Sequence, residues 1–561
     1  MPTLTSNLFR SQGPRDHRLE VVEGRWPDDV GGSVFIVGPD KREPSGHWFA
    51  ERGMVMRIDC DPDATGRIGV RTRTVRTPTL ALRDRLPWLF RTIAFAVVSP
   101  LGATNLANTN VEPIGGRLFL GYDAGRQVEI DPDTLEHLSP VGGNDEWFQA
   151  LPGLFEPMIA VAAHPAADPD EGAMYFVNYT PVPEPGGHPT VFVARWDLAG
   201  SIERWPLLGL PAFDTVHDIK SSSDHLVFTD LPFAAGPETF LGKPRSTPNQ
   251  DVTHLFIVAK RDLARTPPGE PVPVRTIEIP MATGHLSVDR DETDGLLTVF
   301  LEHIPLGDLM IMLHAGESTH SGATVPADYE GLVALGVQPG VVGRYRIDPS
   351  SGTVVDADVV WDERFWGGIL ATRDRSNPAA RSRSRHLWYA GLGFDPELVS
   401  EEWWRLYGEA GLTCVVPPAE LPVAARPGAL AHFDLESMKV AEVFHYEDGA
   451  FPSPPQFVPR RGATGPDDGY IVVMVHRDGA KELQIFDPMD VERGPLARAS
   501  APGFNPPLML HSCWMGPDRP ARPAYRITPW RDVWGALREI PSHLLRLFRM
   551  GRALSREQNP T

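Results

Sequence analysis

Four histidines, His164, His217, His285 and His511, stand where apolar runs meet turns. His164 ends the run in VAAHPAADPDEGAMYF. His217 is followed by Asp218 and then a strand-like stretch in VHDIKSSSDHLVFTDLP. His285 precedes an acidic turn and another apolar run in MATGHLSVDRDETDGLLTVFLEH, and His511 lies in NPPLMLHSCW. The chain has 18 histidines, so one alone carries little weight. These contexts single out four, each at the start or end of a strand, where side chains from different sheets can converge on a shared axis. Neutral imidazole is a good ligand for iron, copper, zinc and nickel. Four imidazoles leave positions open on a six-coordinate ion, as an O₂-activating centre requires. Of the other histidines, His303 ends the strand that follows His285 and is a competing third ligand, but the turn beside His285 favours the latter. His314 and His320 fall in a loop-like stretch and read as solvated.

The elements that must position such residues are short. Runs such as GSVFIVG (32–38), GRLFLGYD (116–123), MYFVNYT (174–180), HLWYAGLG (386–393) and YIVVMVH (470–476) are rich in Val, Phe, Tyr and Thr, and many are bounded by Gly, Pro or Asp. Asp-Pro pairs at 61, 131, 168 and 348 punctuate the gaps. Asp there bonds nearby backbone while Pro fixes φ. Strand, turn, strand over 561 residues with 57 Pro and 52 Gly reads as all-β. Radially repeated sheets can grow to this size. Residues 305–340 and 396–428 read as inserted loops or lids on one face. Thr528 and Pro529 are a cap and first position for a C-terminal helix. Trp530, Val533, Trp534 and Leu537 share a face of that helix.

A net charge of −20 argues against a nucleic-acid partner. Three scattered cysteines, Cys60, Cys414 and Cys513, make neither a disulfide framework nor a CxxC site, which fits a reducing compartment. The N-terminus has no apolar core segment, so no signal peptide is expected and the cytoplasm is the expected location.

The chain resembles the carotenoid cleavage oxygenase family from about residue 20 to 516. HWFAERGMVMRI (47–58), RTRTVRT (71–77), ANTNVEPIGGRLFLGYDAGRQVEIDPDTLE (107–136), PQFVPRRGATGPDDGYIVVMV (455–475) and LQIFDPMDVERGPLARASAP (483–502) are similar to the family's blades. AHPAADPDEG, HDI(x)₆HLVFTDLP and PPLMLHSCW are similar to its first, second and fourth histidine motifs. The third match is looser, with Gly284 and Val288 where the family has an aromatic and an Asn.

The resemblance implies a seven-bladed β-propeller with a helical and loop cap on one face. It implies Fe(II) on the axis, held by His164, His217, His285 and His511. It implies O₂-dependent cleavage of an alkene bond in a long apolar carotenoid or apocarotenoid, giving carbonyl products. Phe155, Phe233, Trp366 and Trp404 are candidate tunnel residues, and core packing is an equal reading for each. Three carboxylates should orient the imidazoles. The matching positions give Asp123 first and the neighbourhood of Glu363 second. The third position is Pro454, leaving Glu447 or Asp448 to substitute. Residues 517–561 form a basic amphipathic extension. Residues 86–102 read either as a membrane-docking patch or as a buried helix capping the propeller. Residues 528–554 read as a peripheral membrane contact or as packed on the chain's own propeller. Stilbene cleavage, an iron-dependent isomerase and a non-catalytic lipid-binding propeller are the competing functions. No Lys between Lys41 and Lys220 provides the cation expected near a stilbene phenol.

Overall fold

A computed structural model describes residues 10–42, 46–180, 190–211, 213, 215–233, 245–334, 336–374, 383–447, 449–477 and 480–538. The Asp-Pro pairs do form the expected turns. Asp131 Oδ1 accepts from the N–H groups of Asp133 and Thr134, both at 2.8 Å. Asp348 Oδ1 accepts from Ser350 N at 2.9 Å. These turns join antiparallel strands into seven blades around an axis.

Blade 1 comprises Ser33–Pro39, Gly53–Asp59, Ile68–Thr74 and Asp16–Gly24. Blade 2 is built from Asn110–Ile114, Arg117–Tyr122, Gly125–Ile130 and His137–Pro140. Blade 3 holds Ala160–Val161 and Ala166–Asp168 as a broken inner strand, then Ala173–Tyr179, Val191–Trp196 and Glu203–Leu207. Blade 4 runs Thr215–Ser221, His225–Leu231, Val252–Ala259 and Arg275–Pro280. In blade 5 the order is Thr283–Val288, Leu297–His303, Val341–Asp348 and Thr353–Val360. Blade 6 has Gly368–Arg373, His386–Gly391, Ala429–Asp434 and Lys439–His445. Blade 7 has Phe451–Pro452 and Gln456–Pro459, then Gly469–Arg477, Ala480–Phe486 and Ala497–Ser500.

The middle strands read as continuous apolar runs because both of their faces are covered. In Gly469–Arg477, Tyr470, Val472 and Met474 pack towards blade 1, while Ile471, Val473 and Val475 pack towards blade 6. The ring is closed by chain ends. Asp16–Gly24 pairs with Ile68–Thr74 on one side and with Ala497–Ser500 on the other. Ser512–Met515 adds to the free edge of Ser33–Pro39. This pairing also covers edges that would otherwise template another chain.

The stretches 305–340 and 396–428 form a cap. Asp308–Met312 pairs with Val333–Ala334, and the helix Glu401–Tyr407 is capped by Ser400, whose Oγ accepts from Trp403 N at 3.1 Å. Trp366, Phe394, Trp403 and Tyr407 share its apolar cluster.

Residues 86–102 are not a helix. Pro87–Leu89 makes one 3₁₀ turn, and Arg91–Ile93, Ala96–Ser99 and Gly102–Ala103 make a small three-stranded sheet. A buried capping helix is thereby excluded: Pro87 and Pro100 interrupt the run, and β-branched Thr92, Ile93, Val97 and Val98 favour pairing. Residues 529–538 are helical, and Arg531 N donates to Thr528 Oγ at 3.4 Å. Its inward side is Asp532 and Ala536, with Asp532 paired to Arg126 at 3.0 Å. Trp530, Trp534 and Leu537 face outward, so the apolar face read from the sequence is the solvent face. Residues 539–554 lie outside the described residues. Among the described residues, no helix is long and apolar enough to cross a membrane.

Candidate metal centre and its cavity

The inner strands bring the four histidines to one place. His164 sits in the break between the two halves of the inner strand of blade 3. Its N–H donates to the His217 carbonyl at 3.0 Å, and its own carbonyl accepts from Ile219 N at 3.1 Å. The backbones that carry the first two rings are therefore bonded directly to each other. β-Bulges between Val216 and Asp218 and between Thr283 and His285 re-aim the next two side chains. His511 is fixed on blade 1, where Val37 N donates to its carbonyl at 2.9 Å. Close approach is needed nearby. A Cβ on Gly121 would stand 1.9 Å from the Ala163 carbonyl oxygen, beside His164, so no larger residue fits.

One ligand nitrogen from each of the four rings lies within 4.8 Å of the others. Ring centroids are 4.1 Å apart for His164 and His511, and 6.4 Å for His217 and His511. The Nε2 atoms of His164 and His285 are buried without a hydrogen-bond partner. Burial, and then the neighbouring imidazoles, push the pKa of His164 well below the ordinary value. Burial and His511 do the same to His285, and burial and His217 to His511. Burial also acts most strongly on His217 and lowers it, but the charge and hydrogen bond of Asp123 outweigh that, and its pKa is raised. Neutral imidazoles with inward lone pairs and no protein donor fit a bound cation. Without one, two buried nitrogens each forfeit a hydrogen bond.

Asp123 lies beside His217. His217 Nδ1 donates to its Oδ1 and Oδ2 at 2.9 and 3.1 Å, which leaves Nε2 for the centre. Its Oδ1 also accepts from Ala163 N at 3.2 Å. Glu363 is a correction. It is exposed, and its backbone carbonyl accepts from the Trp366 indole at 2.8 Å. The acid beside His285 is Glu302, its cross-strand neighbour, with Oε2 3.9 Å from Nδ1 and Oε1 held by Arg373 at 2.6 Å. Glu447 is a second correction: it too is exposed, and its carbonyl accepts from Ala450 N in a tight turn. Asp448 lies outside the described residues. Among the described residues no carboxylate bonds His511. The segment at Pro454 reaches this corner through backbone, where Pro455 O accepts from Ser512 Oγ at 3.0 Å.

His303 is excluded as a ligand. Its two nitrogens engage Tyr345 Oη at 2.9 Å and Thr283 Oγ1 at 3.1 Å. His314 pairs with Glu330 at 3.2 Å, and His320 stacks on Trp404 at 3.6 Å.

His217, His285 and His511 open onto a cavity of about 130 Å³. Trp48, Phe49, Phe95 and Phe233 supply its aromatic wall, with Leu231 and Ile369 beside them. The Phe95 and Phe233 rings meet edge to face at 5.1 Å. Its two threonine hydroxyls are engaged, Thr215 donating to Phe233 O at 3.2 Å and Thr109 to Asn108 Oδ1 at 3.0 Å, and Tyr122 also lines it. Of the four aromatic residues expected here, Phe233 alone lines it. Trp366 and Trp404 belong to the cap, and Phe155 lies in a loop whose N–H donates to Leu101 O. Trp48 and Phe49 were not expected. Their signal was the compact aromatic turn HWFAERG, where His47 Nδ1 accepts from Phe49 N at 3.1 Å.

The family model for retinal pigment epithelial membrane protein matches residues 9–516. The chain belongs to the carotenoid cleavage oxygenase family. It is 21% identical over 534 residues to apocarotenoid-15,15'-oxygenase of Synechocystis sp., covering 89% of this chain and 93% of that one. It is 26% identical over 428 residues to carotenoid cleavage dioxygenase 8 homolog B, chloroplastic, of Oryza sativa subsp. japonica, covering 73% and 64%. The fold is similar to that of a lignostilbene dioxygenase from Pseudomonas brassicacearum, with a TM-score of 0.60 at 21% identity over 92% of this chain and 98% of that one. A cobalt-substituted Synechocystis apocarotenoid oxygenase matches with a TM-score of 0.59 at 18% identity, over 91% and 98%. The family's propeller is thus the fold on which this centre is built.

Proposed function

We propose that this chain is a non-haem Fe(II) dioxygenase that cleaves one carbon–carbon double bond of a carotenoid or apocarotenoid with O₂, giving two carbonyl products. The observation that carries this reading is the meeting of four imidazole nitrogens within 4.8 Å beside an apolar cavity. His164, His217, His285 and His511 would hold the metal. When bound, ferrous iron supplies the activation of O₂ that organic side chains cannot. The protein contributes placement. Asp123 fixes the His217 ring with Nδ1–H outward and Nε2 inward. The aromatic wall holds an alkene flat and excludes water, so one double bond faces the centre. No lysine is among the cavity residues, and the aromatic and aliphatic wall favours a hydrocarbon segment over a phenol.

Residues 20–516 are the catalytic unit in this reading and 517–561 an extension, of which Tyr525, Ile527 and Asp532 pack on blades 2 and 3. The chain works in the cytoplasm and meets lipid peripherally. Trp88, Ile93, Trp530 and Trp534 are exposed apolar groups on the two segments involved. A hydrogen-bonded relay joins those segments: Asn144 N to Asp532 at 2.9 Å, Asn144 Nδ2 to Phe155 O at 3.1 Å, and Phe155 N to Leu101 O at 3.0 Å.

The test is iron content together with O₂ uptake and product mass spectrometry on a panel of apocarotenoids and stilbenes. Iron with aldehyde products from apocarotenoids supports the reading. Cleavage of stilbenes alone reassigns the substrate. Iron with an isomerised but uncleaved product points to an isomerase, and lipid binding without iron to a non-catalytic propeller.

A further inference from the structure

The inner strand of blade 4 carries a charged pair that the centre described above leaves unused. Asp218 is buried and directly follows His217. Its backbone forms a parallel bridge with His164 of blade 3. Its Oδ2 accepts from the N–H of Leu286 at 3.2 Å, and Leu286 directly follows His285 on blade 5. Its Oδ1 accepts from Lys220 Nζ at 2.5 Å. Asp218 thus follows His217 directly and bonds the backbone next to His285, while its neighbours His217 and Ile219 bond the backbone of His164. The bulge at Val216 and Asp218 turns the local backbone so that adjacent residues can serve these separate ends.

We propose that Asp218, closed by Lys220, is a positioning residue that sets the spacing of His217 and His285. The proposal rests on the metal reading given above. Its physical logic is that a buried carboxylate needs both hydrogen bonds and a counter-charge, and Leu286 and Lys220 supply one each. The ammonium also bears on the rings themselves. It makes each of the four imidazoles harder to protonate, after larger contributions from burial and other neighbours. Two further acids, Glu112 and Glu302, repel Asp218 and attract Lys220, so the pair sits within a wider set of axial charges. Displacing Leu286 by a few tenths of an ångström would move His285 relative to His217, and cobalt ligand fields report such shifts.

Full-length wild type is compared with Asp218→Ala, Asp218→Asn and Lys220→Met. Each is titrated with Co(II) against a competing chelator, and the ligand-field absorption of the complex is recorded. Hydrogen exchange of residues 283–288 is followed on the metal-free proteins. The expected result is Co(II) binding about 10–100-fold weaker in Asp218→Ala, with displaced absorption bands and faster exchange over 283–288. Asp218→Asn keeps an acceptor for Leu286 and should restore slow exchange and part of the affinity. Lys220→Met, which frees Asp218 from its counter-charge, should displace the absorption bands with smaller changes in exchange, while loss of its positive charge offsets any fall in affinity. Wild-type affinity and spectrum in Asp218→Ala and Lys220→Met overturn the proposal. If Asp218→Ala does not fold, Lys220→Met and Asp218→Asn carry the same comparison. If wild type itself takes no Co(II), the metal reading falls, and exchange over 283–288 decides: acceleration in Asp218→Ala supports the brace, and unchanged exchange removes it.

Discussion

The imidazole cluster and the cavity beside it are neighbours made of different material. The cluster is carried by inner strands whose backbones bond one another across blades, as His164 and His217 do through two hydrogen bonds. The aromatic wall of the cavity comes from side chains on connecting segments: the turn at 47–49, the hairpin at 91–99 and the end of a blade 4 strand. A ring of strands closed by its own chain ends is stiff, and a wall of loop-borne aromatics can be exchanged piece by piece. The cluster can therefore stay constant while the shape of the wall changes.

Removing one of the four imidazoles should produce the largest effect. His164→Ala is expected to lower metal affinity by more than about 100-fold and to abolish turnover. Measured without metal, its stability should stay within about 1–2 kcal/mol of metal-free wild type, because the change also removes a buried nitrogen that lacks a partner. A metal-free variant that unfolds would show that the ring is a packing element first, and the contrast between centre and wall would break.

Next comes a titration on the cavity side. His47 supports the aromatic wall, with Nε2 3.2 Å from Leu309 O and its ring 5.3 Å from that of Phe49. Burial is the chief reason its pKa is lowered from 6.5 to about 4. The folded value lies below the unfolded one, so the stability from the neutral ring is complete above 6.5 and is lost as pH falls through 4. The loss from this group is about 3 kcal/mol. Tm should fall across that window, and His47→Gln, which cannot titrate there, should flatten part of the slope. Only part will go, because His137, His303 and His432 are also held near 4 by burial. A slope unchanged in His47→Gln would place the acid sensitivity elsewhere.

The same division between strand and loop governs what could be read in advance. His164, His217, His285 and His511 were legible because strands announce their ends, with apolar runs stopping at His164 and His511 and following His217 and His285. The all-β reading and the Asp-Pro turns followed from local chemistry in the same way. Glu302 was missed although it sits in GLLTVFLEH, because finding it requires the pairing register of His285 across a bulge. Glu363 and Glu447 were chosen by position along the chain, and both face solvent. Trp366 and Trp404 have the right side-chain type for a tunnel, but cap packing claims Trp366 and the His320 ring claims Trp404. The contact between Asp16–Gly24 and Ala497–Ser500 joins the two ends of the propeller and leaves no local trace.

A smaller effect should come from the one carboxylate that links the two regions. Asp123 lines the cavity, bonds His217 and holds the backbone before His164. Asp123→Asn preserves shape but can donate where the carboxylate only accepts, which disfavours the Nδ1–H form of His217. Metal affinity should drop about 10–100-fold, read by chelator competition, with KM for a good substrate nearly unchanged. A change confined to KM would make Asp123 part of the wall.

The smallest effect belongs to the wall itself. Phe233 is half-buried, contacts Phe95 at 5.1 Å and Phe49 at 6.5 Å, and stands at a strand end outside the ring of ligands. Phe233→Leu keeps an apolar surface but removes both ring contacts, each worth about 0.5–1.5 kcal/mol at most. A partly exposed site recovers some of that by relaxation, so stability should fall by about 1 kcal/mol. Metal content should be unaltered, because no inner-strand hydrogen bond is touched. What should move is placement: the alkene can slide along a less crowded wall, raising KM a few-fold and spreading cleavage over neighbouring double bonds. Mass spectrometry of the products reads this directly. One product, in wild-type ratio, from a variant with normal metal would mean that the inner strands and not the aromatic wall choose the bond.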